Sequence, residues 1–409
     1  MPSNAASDRM PEISLDEFAK RRSRVLKGLK NRIGMIHAGP GDAHGAFRPH
    51  PHFEYLTGIT DEPDAVLVLD PTAPAGRESI LLLRPLDPEV EKWDGLREEI
   101  GTPLRERYGI RTVFRTGRLG IVLNDCLQRT RRLGCLQPFG RLDQAISSDL
   151  ETFQRLADRY TDVVIEDCTG IISNLRAVKS KSEQAMVRKA CEISKAAYFE
   201  MLRTVRPGMT EWDVMETLEH GYRSRGSRGP GYSTIVGAGL NGTILHYTAN
   251  RAPLRKGDLI VIDSGANFGG YTADVTRTVP ASGRFSKRQR EIYELVLRAL
   301  QASIKTVRAG CTFAQIDKAS RDLITKAGYG DRFFHGIGHH LGLEVHDITP
   351  PGPLKAGAII TIEPGIYLPD EDFGVRIEDD VIVTRDGCVN LTSGIPKSVS
   401  AIEKAMAAG

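Results

Sequence analysis

The sequence predicts a two-domain protein of the α/β class, passing to α+β in its second part, and three observations carry that prediction. At 409 residues the chain exceeds one ordinary domain and accommodates two. Short apolar runs of strand length alternate with amphipathic helical patterns over roughly residues 15–165. Near Asn174–Ser182 the texture changes, and a plan of helices followed by strands then occurs twice. The expected domains are 15–166 and 167–409.

Residues 16–30 carry Phe18, Val25 and Leu26 among many charges and read as a surface helix. The runs Ile33–Ile36, Ala65–Leu69, Ser79–Leu83 and Thr112–Phe114 read as strands. An amphipathic helix is expected over 140–159, and a strand at Val163–Ile165. A long helix starts about Ser182, with Glu183 in its first turn as the helix dipole prefers, and stops at Arg206-Pro207-Gly208. Thr210 opens a second helix as its N-cap, and strands dominate from Gly231 to Val279. The run Thr204-Val-Arg-Pro-Gly-Met-Thr210 matches Thr306-Val-Arg-Ala-Gly-Cys-Thr312 at five of seven positions, 102 residues apart. Gln315 follows Thr312 in capping-box spacing. The match reads either as shared helix–turn–helix punctuation or as an internal duplication, with two α–β halves facing each other across a cleft.

Composition narrows the function classes. With 40% hydrophobic and 26% charged residues the chain has a globular profile, and a net charge of +3 announces no polyanionic partner. The cluster Arg129, Arg131 and Arg132 reads as a solvated helix face, and no aromatics interleave with it, so no nucleic-acid partner is expected. Cys126, Cys135, Cys168, Cys191, Cys311 and Cys388 never approach a CxxC spacing, which indicates neither a zinc knuckle nor a disulfide framework. The opening MPSNAASDRM lacks an apolar core for a secretory leader, and the longest apolar runs cannot span a bilayer. A cytoplasmic protein with no membrane partner is expected.

The chemistry concentrates in the C-terminal half. Leu259–Asp263 and Gly269–Thr278 read as two arms of a hairpin; with the turn centred on Phe268-Gly269, Asp263 faces Asp274 at roughly 5 Å between Cβ atoms. Carboxylates that close repel, and one is protonated unless a cation intervenes. Four of the ten histidines (His335, His339, His340 and His346) fall within twelve glycine-rich residues. Glu363 ends an apolar strand before a Pro-Gly turn, where a buried glutamate needs a partner. Arg376 and Glu378 share one face of a strand, although Glu378, beside Asp379 and Asp380, also reads as a plain surface residue. Four carboxylates and one histidine suit two divalent cations, Mn²⁺ ahead of Zn²⁺ because no thiolate takes part, with Co²⁺ a further candidate.

These residues resemble the pita-bread metallopeptidases, the group of aminopeptidase P, prolidase, methionine aminopeptidase and the metal-free creatinases. The resemblance rests on Leu245-His246-Tyr-Thr-Ala-Asn, Asp263-Ser-Gly, Asp274-Val-Thr-Arg-Thr, His335-Gly-Ile-Gly-His339, Glu363-Pro-Gly and Arg376-Ile-Glu378. It implies a C-terminal pita-bread catalytic domain with pseudo-twofold halves, preceded by a smaller creatinase-like α/β domain. It further implies Asp263 on one metal, His339 and Glu363 on the other, and Asp274 and Glu378 bridging both. Glu363 would also handle the proton of the attacking water, and His246 and His346 would contact substrate and stabilise the tetrahedral intermediate. Arg376, His335 and Tyr367 fall at positions the family uses around the substrate, and Thr361 looks like a support for the metal ligands.

Phe53-Glu-Tyr-Leu-Thr-Gly-Ile-Thr-Asp-Glu-Pro63 and Asp87-Pro-Glu-Val-Glu-Lys-Trp-Asp-Gly95 are similar to the N-terminal domain of aminopeptidase P. The segment between Gly328 and His335 is short compared with bacterial aminopeptidase P, which bears on the cleft rim. The implied activity is removal of the N-terminal residue from peptides with proline second, by a homodimer or homotetramer. In such oligomers the region of Trp93 approaches a neighbouring subunit's cleft, where Trp93 would contact substrate; the alternative is a tryptophan packed on its own domain. A strict Xaa-Pro dipeptidase is the rival within the class, with Arg376 binding the free carboxylate. A catalytically inactive binding module of the same fold would show a broken ligand set, and here none is missing.

Overall fold

In the computed structural model residues 10–41, 47–140, 142–143 and 145–408 are described. They form two compact units, residues 13–176 and residues 177–408, the latter joined by residues 10–12. The leader reading of residues 1–9 lies outside the described residues.

The first unit is built on a six-stranded sheet of order β4-β3-β2-β1-β5-β6, with β1 Ile33–His37, β2 Val66–Leu69, β3 Ser79–Leu83, β4 Thr112–Arg115, β5 Arg132–Cys135 and β6 Val164–Asp167. The β1–β2 and β2–β3 pairs are antiparallel and the others parallel. Its helices are α1 Leu15–Leu29, α2 Pro51–Thr57, α3 Pro88–Asp94, α4 Thr102–Tyr108, α5 Leu119–Leu127, α6 Ser148–Ala157 and α7 Thr169–Arg176. Ile33, Met35, Val68, Leu82, Leu133 and Phe153 pack in one core. The helix expected over 140–159 forms only as α6; residues 141 and 144 of that span lie outside the described residues.

The arginine cluster is not a helix face. Arg129 follows α5 and pairs with Asp70, Arg131 pairs with Asp162, and Arg132 opens β5 and pairs with Glu166. Asp70 is fully buried and also accepts from the Thr72 amide (2.8 Å) and hydroxyl (2.6 Å). Burial pushes its carboxyl up, but Arg129 and Thr72 outweigh burial and hold it below the usual aspartate range. A depressed folded pKa stabilises above the unfolded value of about 3.9, and the gain is lost as pH falls through the folded value. Asp70→Asn therefore lowers stability by about 1–3 kcal/mol at neutral pH. Chemical denaturation at a series of pH values should show that deficit shrinking in the acid range; a pH-independent deficit would overturn the account.

In the second unit the two helix pairs repeat in order. The first pair is α8 Lys181–Thr204 and α9 Glu211–Arg223, and the second is α10 Lys287–Thr306 and α11 Phe313–Lys326. Thr210 and Thr312 each close a capping box, with Asp213 and with Gln315. The first long helix starts at Lys181, one residue before the expected Ser182, and is capped by Ser180, whose amide donates to Glu183 Oε2 and whose hydroxyl accepts from the Glu183 amide.

The strands of the first half are β7 Gly229–Pro230, β8 Ile235–Ala238, β9 Leu259–Asp263, β10 Ala266–Phe268, β11 Tyr271–Thr272 and β12 Thr276–Pro280. Those of the second are β13 Ile359–Ile362, β14 Gly365–Leu368, β15 Phe373–Arg376, β16 Asp379–Val383 and β17 Cys388–Asn390, before α12 Val399–Met406. The sheets β12-β9-β8 and β13-β16-β17 are the counterparts of the two halves. This is the pita-bread plan with pseudo-twofold halves, preceded by an α/β domain. No helix among the described residues is long and apolar enough to cross a membrane.

Candidate active site

The hairpin that carries the two aspartates turns at Gly269-Gly270, both with positive φ, so Phe268 pairs with Tyr271 and Asp263 pairs with Thr276. The expected facing of Asp263 and Asp274 is therefore two residues out of register. Side chains alternate with period two, so a shift of two leaves Asp274 on the expected face. The ladder breaks between β9 and β10 and again between β11 and β12, where a Cβ on Gly265 would lie 1.8 Å from the Ala273 carbonyl oxygen. Asp274 sits in that gap, its amide donating to Asp380 Oδ2 (3.0 Å). The Tyr232 hydroxyl spans both aspartates, 2.7 Å from Asp263 Oδ1 and 2.5 Å from Asp274 Oδ1.

The second half brings the other groups. Glu363 follows β13, and its amide donates to the Ile337 carbonyl (2.9 Å). A Cβ on Gly338 would lie 2.1 Å from the Thr361 carbonyl oxygen, so only glycine permits this approach of the histidine loop to β13. Thr361 Oγ1 accepts from the His339 amide (3.2 Å). His339 Nδ1 donates to the His340 carbonyl (3.0 Å), leaving Nε2 bare, 3.5 Å from Asp274 Oδ2 and 3.6 Å from Glu363 Oε1. Glu378 lies in the break between β15 and β16 and is buried, not a surface residue; Thr276 Oγ1 donates to its Oε2 (2.7 Å), and Arg277 Nη1 to its carbonyl (2.6 Å).

Ligand atoms of Asp274, His339 and Glu378 all lie within 4.8 Å of one another. Burial, then neighbouring carboxylates, push Asp274 and Glu378 well above the usual carboxylate range. Burial carries Glu363 to about 8 even though Arg376 opposes it, and burial holds His339 down to about 4, a neutral imidazole. Buried carboxylates crowded around a bare imidazole nitrogen are mutually repulsive without cations and satisfied by them, so the residues fit a divalent-metal centre.

The groups expected around the substrate lie in contact with one another. Arg376 donates from Nη2 to Asp263 Oδ2 (2.8 Å) and from Nη1 to the Tyr367 hydroxyl (3.1 Å), which lies 2.9 Å from His335 Nε2. The His346 ring is 4.3 Å from that of His339 and 6.4 Å from that of His246. A cavity of about 460 Å³ is lined by Asp263, Asp274, His339, Glu363 and Glu378, by His246, His335, His346, Tyr367 and Arg376, and by Tyr232.

Trp93 stands apart. It lies on α3 of the first unit and is 87% exposed, so it does not pack into its own domain as the simpler alternative required. Sequence reasoning missed Tyr232, whose only local signal is its place two residues after the short glycine–proline strand β7. It also missed Asp380, which accepts from the Asp274 amide, and Thr276, which donates to Glu378.

Residues 185–385 match Metallopeptidase family M24, and residues 18–133 match Aminopeptidase P, N-terminal domain. The Xaa-Pro aminopeptidase of Escherichia coli is 32% identical over 440 residues, covering 98% of this chain and 99% of that protein. The Xaa-Pro dipeptidase of Pyrococcus furiosus is 38% identical over 227 residues, covering 54% of this chain and 65% of that protein. The structure of aminopeptidase P from E. coli with the inhibitor Pro-Leu superposes with a TM-score of 0.86 at 32% identity, covering 97% of this chain and 99% of that one.

Proposed function

From the premise that this chain belongs to the aminopeptidase P family of M24 metallopeptidases, we propose that it removes the N-terminal residue from peptides with proline in second position. It is a metallo-aminopeptidase, and one observation carries the assignment of its site. The acidic pair of the first half and the His339–Glu363–Glu378 set of the second converge in a single cavity.

Asp263, Asp274, His339, Glu363 and Glu378 would hold two divalent ions, with Mn²⁺ preferred for the carboxylate-rich set and Zn²⁺ or Co²⁺ as substitutes. Bound there, the ions would supply the Lewis acidity that makes water nucleophilic near neutral pH. Glu363 takes the proton of the attacking water and returns it to the departing proline nitrogen. His246 and His346 donate hydrogen bonds to the oxygen of the former carbonyl as charge grows on it. Arg376 is held between Asp263 and Tyr367 and fixes the orientation of both. His335 and Tyr367 flank the proline.

Arg376 also bears on the dipeptidase alternative. It is buried and already committed to Asp263, which disfavours its use as the receptor of a substrate carboxylate. The full-length likeness to an aminopeptidase, against a half-length likeness to a dipeptidase, points the same way. We further propose a cytoplasmic homodimer or homotetramer. The six free cysteines suit a reducing compartment, and the exposed Trp93 and Leu96 suit burial against a neighbouring copy, with Trp93 contacting its substrate. The test is hydrolysis of Xaa-Pro against Xaa-Pro-Yaa by metal-reconstituted protein. Release of Xaa from the tripeptide at least about tenfold faster is expected, with KM for the tripeptide alone rising in Trp93→Ala. Preference for the dipeptide would assign the chain to the rival activity.

A further inference from the structure

Phe334 belongs to the short segment between Gly328 and His335, and it is 59% exposed. The backbone that presents it is nevertheless held on both sides. Arg321 donates from Nη1 to the Phe333 carbonyl (2.7 Å) and from Nη2 to the His335 carbonyl (2.9 Å). Asp317 grips the same guanidinium through both carboxylate oxygens, at 2.6 and 2.9 Å. The neighbouring Phe333 is buried, with that guanidinium 4.3 Å from its ring centre. Looseness therefore does not explain why Phe334 faces solvent. Its ring lies 5.2 Å from that of Tyr367 and 6.4 Å from that of His335, two of the groups that line the cavity. A fixed aromatic surface beside a peptide-sized cavity gains its hydrophobic stabilisation only when something apolar covers it.

We propose that Phe334 is a specificity-determining residue that packs against the third residue of the substrate, Yaa in Xaa-Pro-Yaa, and favours apolar side chains there. This rests on the Xaa-Pro aminopeptidase reading and adds a preference that the reading alone does not contain. The order of groups supports the third residue over the proline. His335 Nδ1 is 3.9 Å from Glu363 Oε2, beside the bond to be cut, so the proline that follows that bond falls against His335 and Tyr367. An extended peptide advances about 3.5 Å per residue, and the Phe334 ring lies 5.2 Å from that of Tyr367, so the residue after the proline comes within reach of Phe334. The Asp317–Arg321 bracket makes this wall rigid, so contact with it loses little conformational entropy on binding.

The test compares wild type, Phe334→Ala and Phe334→Leu on Xaa-Pro-Leu and Xaa-Pro-Gly, with inhibition by the dipeptides Pro-Leu and Pro-Gly as a readout independent of bond cleavage. Phe334→Ala is expected to raise KM for Xaa-Pro-Leu and Ki for Pro-Leu about tenfold, leave both glycine peptides within about twofold, and keep kcat unchanged. Phe334→Leu restores most of the loss. Equal shifts on leucine and glycine peptides, or no shift on either, overturn the assignment while leaving the aminopeptidase reading intact. Failure of the wild type to cleave any Xaa-Pro-Yaa peptide overturns both.

Discussion

Exhaustive removal of divalent metal abolishes hydrolysis of Xaa-Pro-Yaa peptides, and titrating Mn²⁺ back restores it better than Zn²⁺. The expectation follows from the crowding of Asp263, Asp274, Glu363 and Glu378 around one cavity. Burial and mutual repulsion drive Asp274 and Glu378 toward their protonated forms, in which neither can serve as an anionic ligand or electrostatic stabiliser. Removing the ions takes away a nucleophile-generating effect that spans several pKa units of water acidity, so the loss is complete within detection. Metal content by mass spectrometry, followed alongside rate, provides the check. Full activity in protein shown to hold no divalent metal would sink the assignment.

Glu363→Gln loses about three orders of magnitude in kcat and binds metal less tightly, because an anionic ligand and a proton carrier vanish together. The substitution preserves shape, so the hydrogen bond of the residue-363 amide to Ile337 persists and the fold is retained. His339→Ala and His346→Ala separate the two kinds of histidine. His339 offers a bare Nε2 between Asp274 and Glu363, so its loss lowers metal content. The His346 ring meets that of His339 edge-on, 4.3 Å between centres, and is expected to face the substrate, so its loss lowers kcat and leaves metal content near wild type. A metal loss in His346→Ala as steep as in His339→Ala would show that this division is wrong.

Much of the candidate site was legible because carboxylates at the ends of apolar strands and a histidine in a glycine-rich loop stand out from their surroundings. Asp263 and Glu363 sit where apolar strands stop, and His339 lies in a glycine-rich loop whose glycines are needed for close approach. Register was less legible: two adjacent glycines offer alternative turn centres, and only packing selects Gly269-Gly270. Glu378 was ambiguous since an acidic triplet reads the same in solvent as in a core. Its burial depends on Thr276 and Arg277, about a hundred residues earlier in the chain. In the first unit β5 escaped notice because four residues containing Arg132 and Gly134 carry little periodicity. Gly134 is small there since a Cβ would meet Cys168 Sγ at 2.8 Å, a contact invisible in local sequence. Seven-residue helices such as α2 and α3 are likewise too short for a periodic pattern to declare itself.

The reach of Arg277 has a consequence for how the protein is made. Its fully buried guanidinium bonds the carbonyl of Glu378 and the carboxylate of Asp379, and Asp379 in turn pairs with Lys397. At a synthesis rate of 5–20 residues per second, Arg277 leaves the ribosome's active centre roughly 5–20 s before those partners exist. During that interval its charge has the carbonyl of Thr276 but no carboxylate partner, and desolvating it without one is prohibitive. The first unit can fold while translation continues, since its sheet is complete by Asp167. The catalytic unit must wait for nearly its last residues, and a nascent chain halted before Asp379 would carry a folded front end tethered to an open, chaperone-dependent remainder.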